Sequence, residues 1–293
     1  MSDARIHDLG YRRYEGGRRG PTAATVDLAL HTIQRVLGLR RQFRHKIAPI
    51  IVVALAFIPA VVFVGLAAFL PEDLLQEDIL PGYAEYGGIV TFAVVLFASF
   101  AAPEAVVTDR RTGMFGLYLA APLTRTSYTV AKVGAIVAVM LVITTGPQLL
   151  MLVAFSIEGA GPGVPFGTLE LLVQILAVGI LTAAVYASVA LALSTLTSRR
   201  GIASAVVVLF LLVSTVSVVA FVDAADASPW LYLMNLQDLV VEMGARIYGD
   251  EIGEPAPRIG ELPDYAVIGA PIAWAVLGGA ICWLRIRRAP VTR

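Results

Sequence analysis

Apolar and charged positions divide this 293-residue chain into six long uncharged runs joined by short charged connections. The runs are Ile47 to Leu70, Tyr86 to Pro103, Val133 to Ile157, Leu171 to Ser198, Gly201 to Val222 and Ala266 to Leu284, and none contains Asp, Glu, Lys or Arg. A helix crosses about 30 Å of hydrocarbon with roughly 20 residues at 1.5 Å each. The pattern therefore predicts an all-α integral membrane protein with six transmembrane helices, over about 47–70, 86–103, 133–157, 171–198, 201–222 and 266–284.

Two further helices are predicted outside the runs. From Thr25 the period becomes helical: Val26, Ala29, Leu30, Ile33, Val36 and Leu37 share one arc, and Asp27, His31, Gln34, Arg35 and Gly38 fill the opposite side. This reads as an amphipathic interfacial helix within 22–46. It ends near Gly38, and the chain turns into the membrane through Arg40 to Lys46. After the fifth run, Ser228 and Pro229 suit an N-cap and first helical position. Trp230 to Ile247 then continues as a helix with Asn235, Asp238, Glu242 and Arg246 on one narrow face. So apolar a helix beside a membrane domain either dips into the bilayer or packs on the spans, so a partly re-entrant or interfacial helix is expected before span six. An irregular acidic loop follows from Glu251 to Arg258.

The organisation is thus a basic disordered tail (1–21), the interfacial helix (22–46), a six-span domain (47–288) and a short tail (289–293). The longest stretches outside the runs are at or below the size at which a domain folds without staples, leaving no room for a separate soluble domain. The first run is expected to be retained rather than cleaved as a signal peptide, because 46 residues precede it.

Charge sets the orientation. The formal net charge is zero, but 20 of the 22 basic residues lie before Ile47, between Glu104 and Lys132, at Arg199 and Arg200, and after Leu284. The other three connections carry only Arg246 and Arg258 with 16 of the 22 acids, so the two sides sum to +14 and −14. Lys/Arg-rich short loops stay in the cytoplasm. Both termini are expected there, in a multi-pass protein of the cell inner (cytoplasmic) membrane. The excess of Arg over Lys, 20 to 2, fits a GC-rich bacterial genome.

Within the runs, Pro59, Gly146-Pro147 and Pro271 should kink or open their helices, and Ala184, Ser188 and Ala192 form a close-packing face. Gln148, Gln174, Tyr186, Thr144-Thr145 and Ser214-Thr215 are the polar groups placed to face a cavity or to hydrogen-bond between helices.

Several chemistries are excluded. No ionisable residue lies within a run to serve as the relay of a proton- or ion-driven transporter. The only lysines, Lys46 and Lys132, sit in no phosphate-loop motif. Cys282, the single cysteine, has no ligand or catalytic partner nearby and reads as a small buried residue. No catalytic, cofactor-binding or metal-binding residue is expected, and no nucleic-acid partner.

The most patterned connection is Pro103-Glu-Ala-Val-Val-Thr-Asp-Arg-Arg-Thr-Gly-Met-Phe-Gly-Leu-Tyr-Leu-Ala-Ala-Pro122, followed by Leu123-Thr-Arg-Thr-Ser-Tyr-Thr-Val-Ala-Lys132. An acid, Arg110-Arg111, a Gly two residues on, an apolar helical turn closing at Pro122 and a Thr-Arg step to Lys132 resemble the first cytoplasmic loop of type-2 ATP-binding-cassette (ABC) exporter permeases. Asp109 stands where that family more often has Glu, and Gly116 should interrupt the middle helix. Leu193-Ser-Thr-Leu-Thr-Ser-Arg-Arg-Gly-Ile-Ala-Ser-Ala205 is similar to the family's short basic turn between spans four and five.

The resemblance implies a permease that carries no nucleotide site. It pairs with a second permease copy or a paralogue and is driven by a separate ABC ATPase subunit that binds ATP and Mg. It also implies that Glu104, Asp109, Arg110, Arg111, Thr112, Gly113, Met114, Phe115 and Leu119 couple to that ATPase. Spans two and five would line the route, which places Thr91, Ser99, Ser214, Thr215 and Ser217 along it. Two alternatives stay open: the arginines simply anchor at lipid headgroups, or the chain is a non-transporting membrane scaffold or sensor whose acidic outer loop binds a partner.

Overall fold

The computed structural model describes residues 20–39, 41–69, 80–120, 122–158, 165–249 and 258–289. The tail before Gly20, Arg40 and most of the 71–85 and 250–258 connections lie outside the described residues. The described chain is built from helices: α1 (Pro21–Val36), α2 (Ile47–Phe69), α3 (Tyr83–Arg111), α4 (Met114–Ala120), α5 (Arg125–Thr144), α6 (Gly146–Glu158), α7 (Pro165–Ser194), α8 (Arg200–Val219), α9 (Leu236–Tyr248) and α10 (Asp264–Arg288). Six helical segments are long and apolar enough to cross a membrane, with α5 and α6 together forming the third. The all-α membrane architecture follows.

Burial ranks the spans. In α3 and α7, 72% and 67% of the most apolar stretch is buried, against 22% in α2, α8 and α10. The enclosed α3 packs on α2, α5, α7, α8 and α9, so the outer spans are arranged around it. Their outward side chains, such as Ile58, Val213 and Val276, remain exposed for contact with lipid or another chain. The small-residue face on α7 meets α10: a Cβ on Gly278 would lie 2.8 Å from the backbone carbon of Ser188 and 2.9 Å from the amide of Val189. Cys282 on the same helix is buried and free.

Two boundaries differ from expectation, and the opening expected at Gly146-Pro147 is present. The second span does not end at Pro103: α3 runs on for two turns to Arg111, because a charge ends a hydropathy window but not a hydrogen-bonded helix. The third begins at Arg125 under a capping box formed by Thr124 and Ser127, and it breaks at Thr145, just before Gly146-Pro147. Helical structure runs unbroken through Pro59 and Pro271.

The single helix expected from Trp230 to Ile247 is divided. Pro229–Met234 form a 3₁₀ turn, Asn235 is extended, and α9 begins at Leu236. Ser228 makes no side-chain cap; Asn235 does, its Oδ1 accepting from the amides of Gln237 and Asp238 at 3.2 and 3.4 Å. Thr215 of α8 donates to the same oxygen at 2.8 Å, so the cap also fastens α9 to a span. Gly249 closes α9 at φ +74°, a left-handed position that glycine adopts without strain. With Leu236, Leu239, Val240, Met243 and Ala245 buried, α9 packs against α3, α7, α8 and α10.

Candidate functional site

The connection between the second and third spans is a short helix between two fixed ends. Gly113 takes φ +74° and turns the chain out of α3, and α4 then runs through Gly116, which does not interrupt it. Phe115 is buried against Tyr128, with ring centroids 5.2 Å apart in an edge-to-face pair. Met114 and Leu119 are half-buried, whereas Arg111, Thr112, Gly113, Leu117 and Ala120 are exposed. Leu117, 65% exposed on this helix, carries no sequence signal beyond its place in an apolar turn.

What fixes this connection is a buried ion cluster. Asp109, with no exposed surface, accepts from the Arg35 guanidinium, from Lys132 Nζ at 2.6 Å and from the Tyr128 hydroxyl at 2.9 Å. Arg35 Nη2 also donates to the carbonyls of Glu104 and Ala105 at 2.8 and 2.9 Å. Glu104, 3% exposed, binds Arg41 at 3.1 Å and Arg200 at 2.6 Å. Lys132 is fully buried, donates to Thr32 Oγ1 at 3.0 Å and stands 5.3 and 5.7 Å from the ring centroids of Tyr128 and Tyr118. Four cations thus share two carboxylates where α1, α3, α5 and the start of α8 converge.

Arg35 corrects the sequence expectation. It was placed on the solvated face of α1, yet it is only 8% exposed. The helix is turned so that Leu28, Thr32, Arg35 and Val36 pack on α5 and α3, while Val26 and Leu30 on the apolar arc remain about half exposed. The buried Lys132 and Asp109 lie outside the uncharged runs, Lys132 next to Val133 and Asp109 six residues past Pro103. A buried charge is costly unless it is paired and hydrogen-bonded, and each here is.

The residues assigned to coupling therefore separate by position. Glu104 and Asp109 belong to the buried cluster. Arg110 is partly buried and donates to the Thr195 carbonyl at 3.0 Å, tying α3 to the turn between α7 and α8. Arg111, Thr112 and Gly113 lie at the surface.

Among the residues assigned to a route, Thr91 lies on α3 between two cavities. The smaller, about 40 Å³, is lined by Tyr86, Thr144, Gln148 and Tyr186 among others, which brings together several polar side chains singled out in the sequence. The larger, about 410 Å³, opens between α3, α8 and α9 and is lined by Phe92, Leu96, Leu212, Gln237 and Asp238 among others. Burial pushes the Asp238 carboxyl above its usual range. Ser99, Ser214 and Thr91 donate to carbonyls of their own helices, and Thr215 donates to Leu211 O as well as to Asn235. Ser217 is half-buried on α8.

Six apolar spans, a short helix held between the second and third, and a capped helix packed before the sixth define a multi-pass membrane protein. A family model described as ABC-2 family transporter protein matches residues 75–284, more than half of the chain. The chain belongs to that family and is a membrane permease of an ABC transporter. No curated protein matches it.

Proposed function

We infer that this chain is the permease subunit of an ATP-driven exporter. A separate ABC ATPase subunit binds ATP and Mg, and α4 docks on it. The observation that carries the reading is the construction of α4: one side is anchored through Phe115 and the Asp109 cluster, and the other presents Leu117 with Arg111, Thr112 and Gly113. A helix fastened to α1, α3 and α5 moves with them, so displacement of a docked ATPase is passed to the spans. Both termini lie on the cytoplasmic side of the inner membrane, with the +14 face. A second permease copy or a paralogue completes the route along α3 and α8, where Thr91, Ser214, Thr215 and Ser217 lie.

The test compares Arg111→Glu with Leu117→Glu against Arg199→Glu, an exposed basic residue on the other connection of the same face. After equal membrane insertion is established, the 111/117 double variant should lose co-purification with the ATPase and its stimulated hydrolysis, because a reversed charge at a docked contact costs several kcal/mol. Arg199→Glu should retain both. A 111/117 variant that binds and stimulates like the wild type removes α4 from the docking surface.

A further inference from the structure

A groove of about 490 Å³ lies between α1, α3 and α4. Its walls include His31, Arg35, Arg41, Thr108, Thr112 and Tyr118, and among the described residues no carboxylate lines it. The ion pairing behind it is unbalanced among the described residues: Arg35, Arg41, Lys132 and Arg200 share Glu104 and Asp109, four cations on two carboxylates. Behind its wall two donors are buried without a hydrogen-bond acceptor among the described residues, Arg35 Nε, which is 3.7 Å from Glu104 Oε1, and the Tyr118 hydroxyl. Arg35 is itself more than nine-tenths buried, so its guanidinium is held in place by the fold rather than free at a solvated surface.

We propose that this groove is a recognition site for the phosphodiester of an anionic phospholipid. Guanidinium groups with adjacent hydroxyl donors match a phosphate's several acceptor oxygens. The lipid source follows from position. Val26 and Leu30 on the outward arc of α1 are exposed apolar side chains, and Leu39, which follows the helix, is also exposed and lines the groove. An acyl chain therefore lies against the same helix whose end meets the headgroup. A lipid held there bridges α1 to α4 and bears on the element proposed to dock the ATPase. The inference rests on the membrane placement of α1, and not on transport.

His31 supplies the readout. Burial, and then the charges of Arg35, Lys132 and Arg41, hold its imidazole below the ordinary pKa, with Asp109 opposing them. A phosphate anion in the groove offsets those cations and raises it. The experiment uses the full chain, ¹³C-labelled at its three histidines, in nanodiscs of phosphatidylcholine with increasing phosphatidylglycerol. His31→Gln identifies the resonance. Both leaflets are open in a disc and no ATPase is present, so the result is independent of orientation and of coupling.

The His31 titration should shift upward and saturate at a low fraction of the anionic lipid, beyond any response of the exposed His45 ring. Arg41→Gln should raise the half-saturating fraction about fivefold, the weight of one basic residue at an anionic surface. Arg44→Gln, exposed and outside the groove, should leave it within about twofold. Overturning results are a His31 response that only parallels that of His45, equal titrations for wild type and Arg41→Gln, or inorganic phosphate reproducing the whole shift in neutral discs. A groove silent to lipid and closed by the ATPase also overturns it, as a protein contact.

Discussion

Replacing Asp109 by Asn keeps the shape of the side chain and removes the charge on which Arg35 and Lys132 converge. The Lys132 ammonium, 2.6 Å from the carboxylate and without exposed surface, would then be left among Tyr128, Tyr118 and Thr32 with no anion at contact distance. Removing one partner of a buried pair costs about 3–5 kcal/mol, most of it the penalty of the charge left behind. Arg35 keeps its bonds to the Glu104 and Ala105 carbonyls and its proximity to Glu104, which puts the expectation near the lower end of that range. Unfolding free energy from reversible detergent titration of the purified chain measures the loss. Combining Asp109→Asn with Lys132→Met should recover much of it, because the second change removes the stranded ammonium, and a double-mutant cycle isolates the coupling. An Asp109→Asn protein within about 1 kcal/mol of wild type, or a double variant worse than the sum of the singles, refutes the buried-cluster account.

Three further expectations concern the frame. Asn235→Ala removes the α9 cap and leaves the Thr215 hydroxyl without its partner across the helices; a loss of about 1–2 kcal/mol is expected in the same titration, whereas Ser228→Ala should change little. Gly278→Ala places a methyl group against the backbone of Ser188 and Val189, and overpacking of this kind costs about 1–3 kcal/mol; a neutral result would mean that α7 and α10 separate easily. Cysteines introduced within 71–85 and 249–264, with Cys282 replaced by Ala, should react with an impermeant thiol reagent from outside the cell, and one at Arg199 only after permeabilisation; the reverse pattern inverts the topology.

Much of the frame was legible because membrane insertion is written in composition: an uncharged run of sufficient length has little choice but to span. The short helix α4 was legible through its punctuation, Gly113 before it and Pro122 beyond it. The rotation of α1 was not. Periodicity separates polar from apolar positions, but it assigns polar ones to water, and Arg35 is instead withdrawn from water by Asp109 and the Glu104 carbonyl, 74 and 69 residues away. The same limit hid the junction at Asn235. Ser228-Pro229 is a good local start signal, yet the α9 cap falls where Thr215, on another helix, can share the Asn235 oxygen. The extension of α3 past Pro103 follows from a different cause: Glu104 and Asp109 end the apolar run but find cations within the fold, so the helix has no reason to stop.

Accessibility of Leu117 in the presence and absence of the ATPase tests the central claim most directly. With Cys282 replaced by Ala, Leu117→Cys provides a single thiol at a position that is 65% exposed, on a helix whose other side is anchored by Phe115. The thiol should react rapidly with a hydrophilic maleimide in the chain alone and become protected at least about tenfold when the ATPase subunit is bound, as expected for a side chain enclosed at an interface core. A cysteine at Arg199 should stay reactive in both states. Equal reactivity at Leu117→Cys with and without a bound ATPase contradicts coupling through α4.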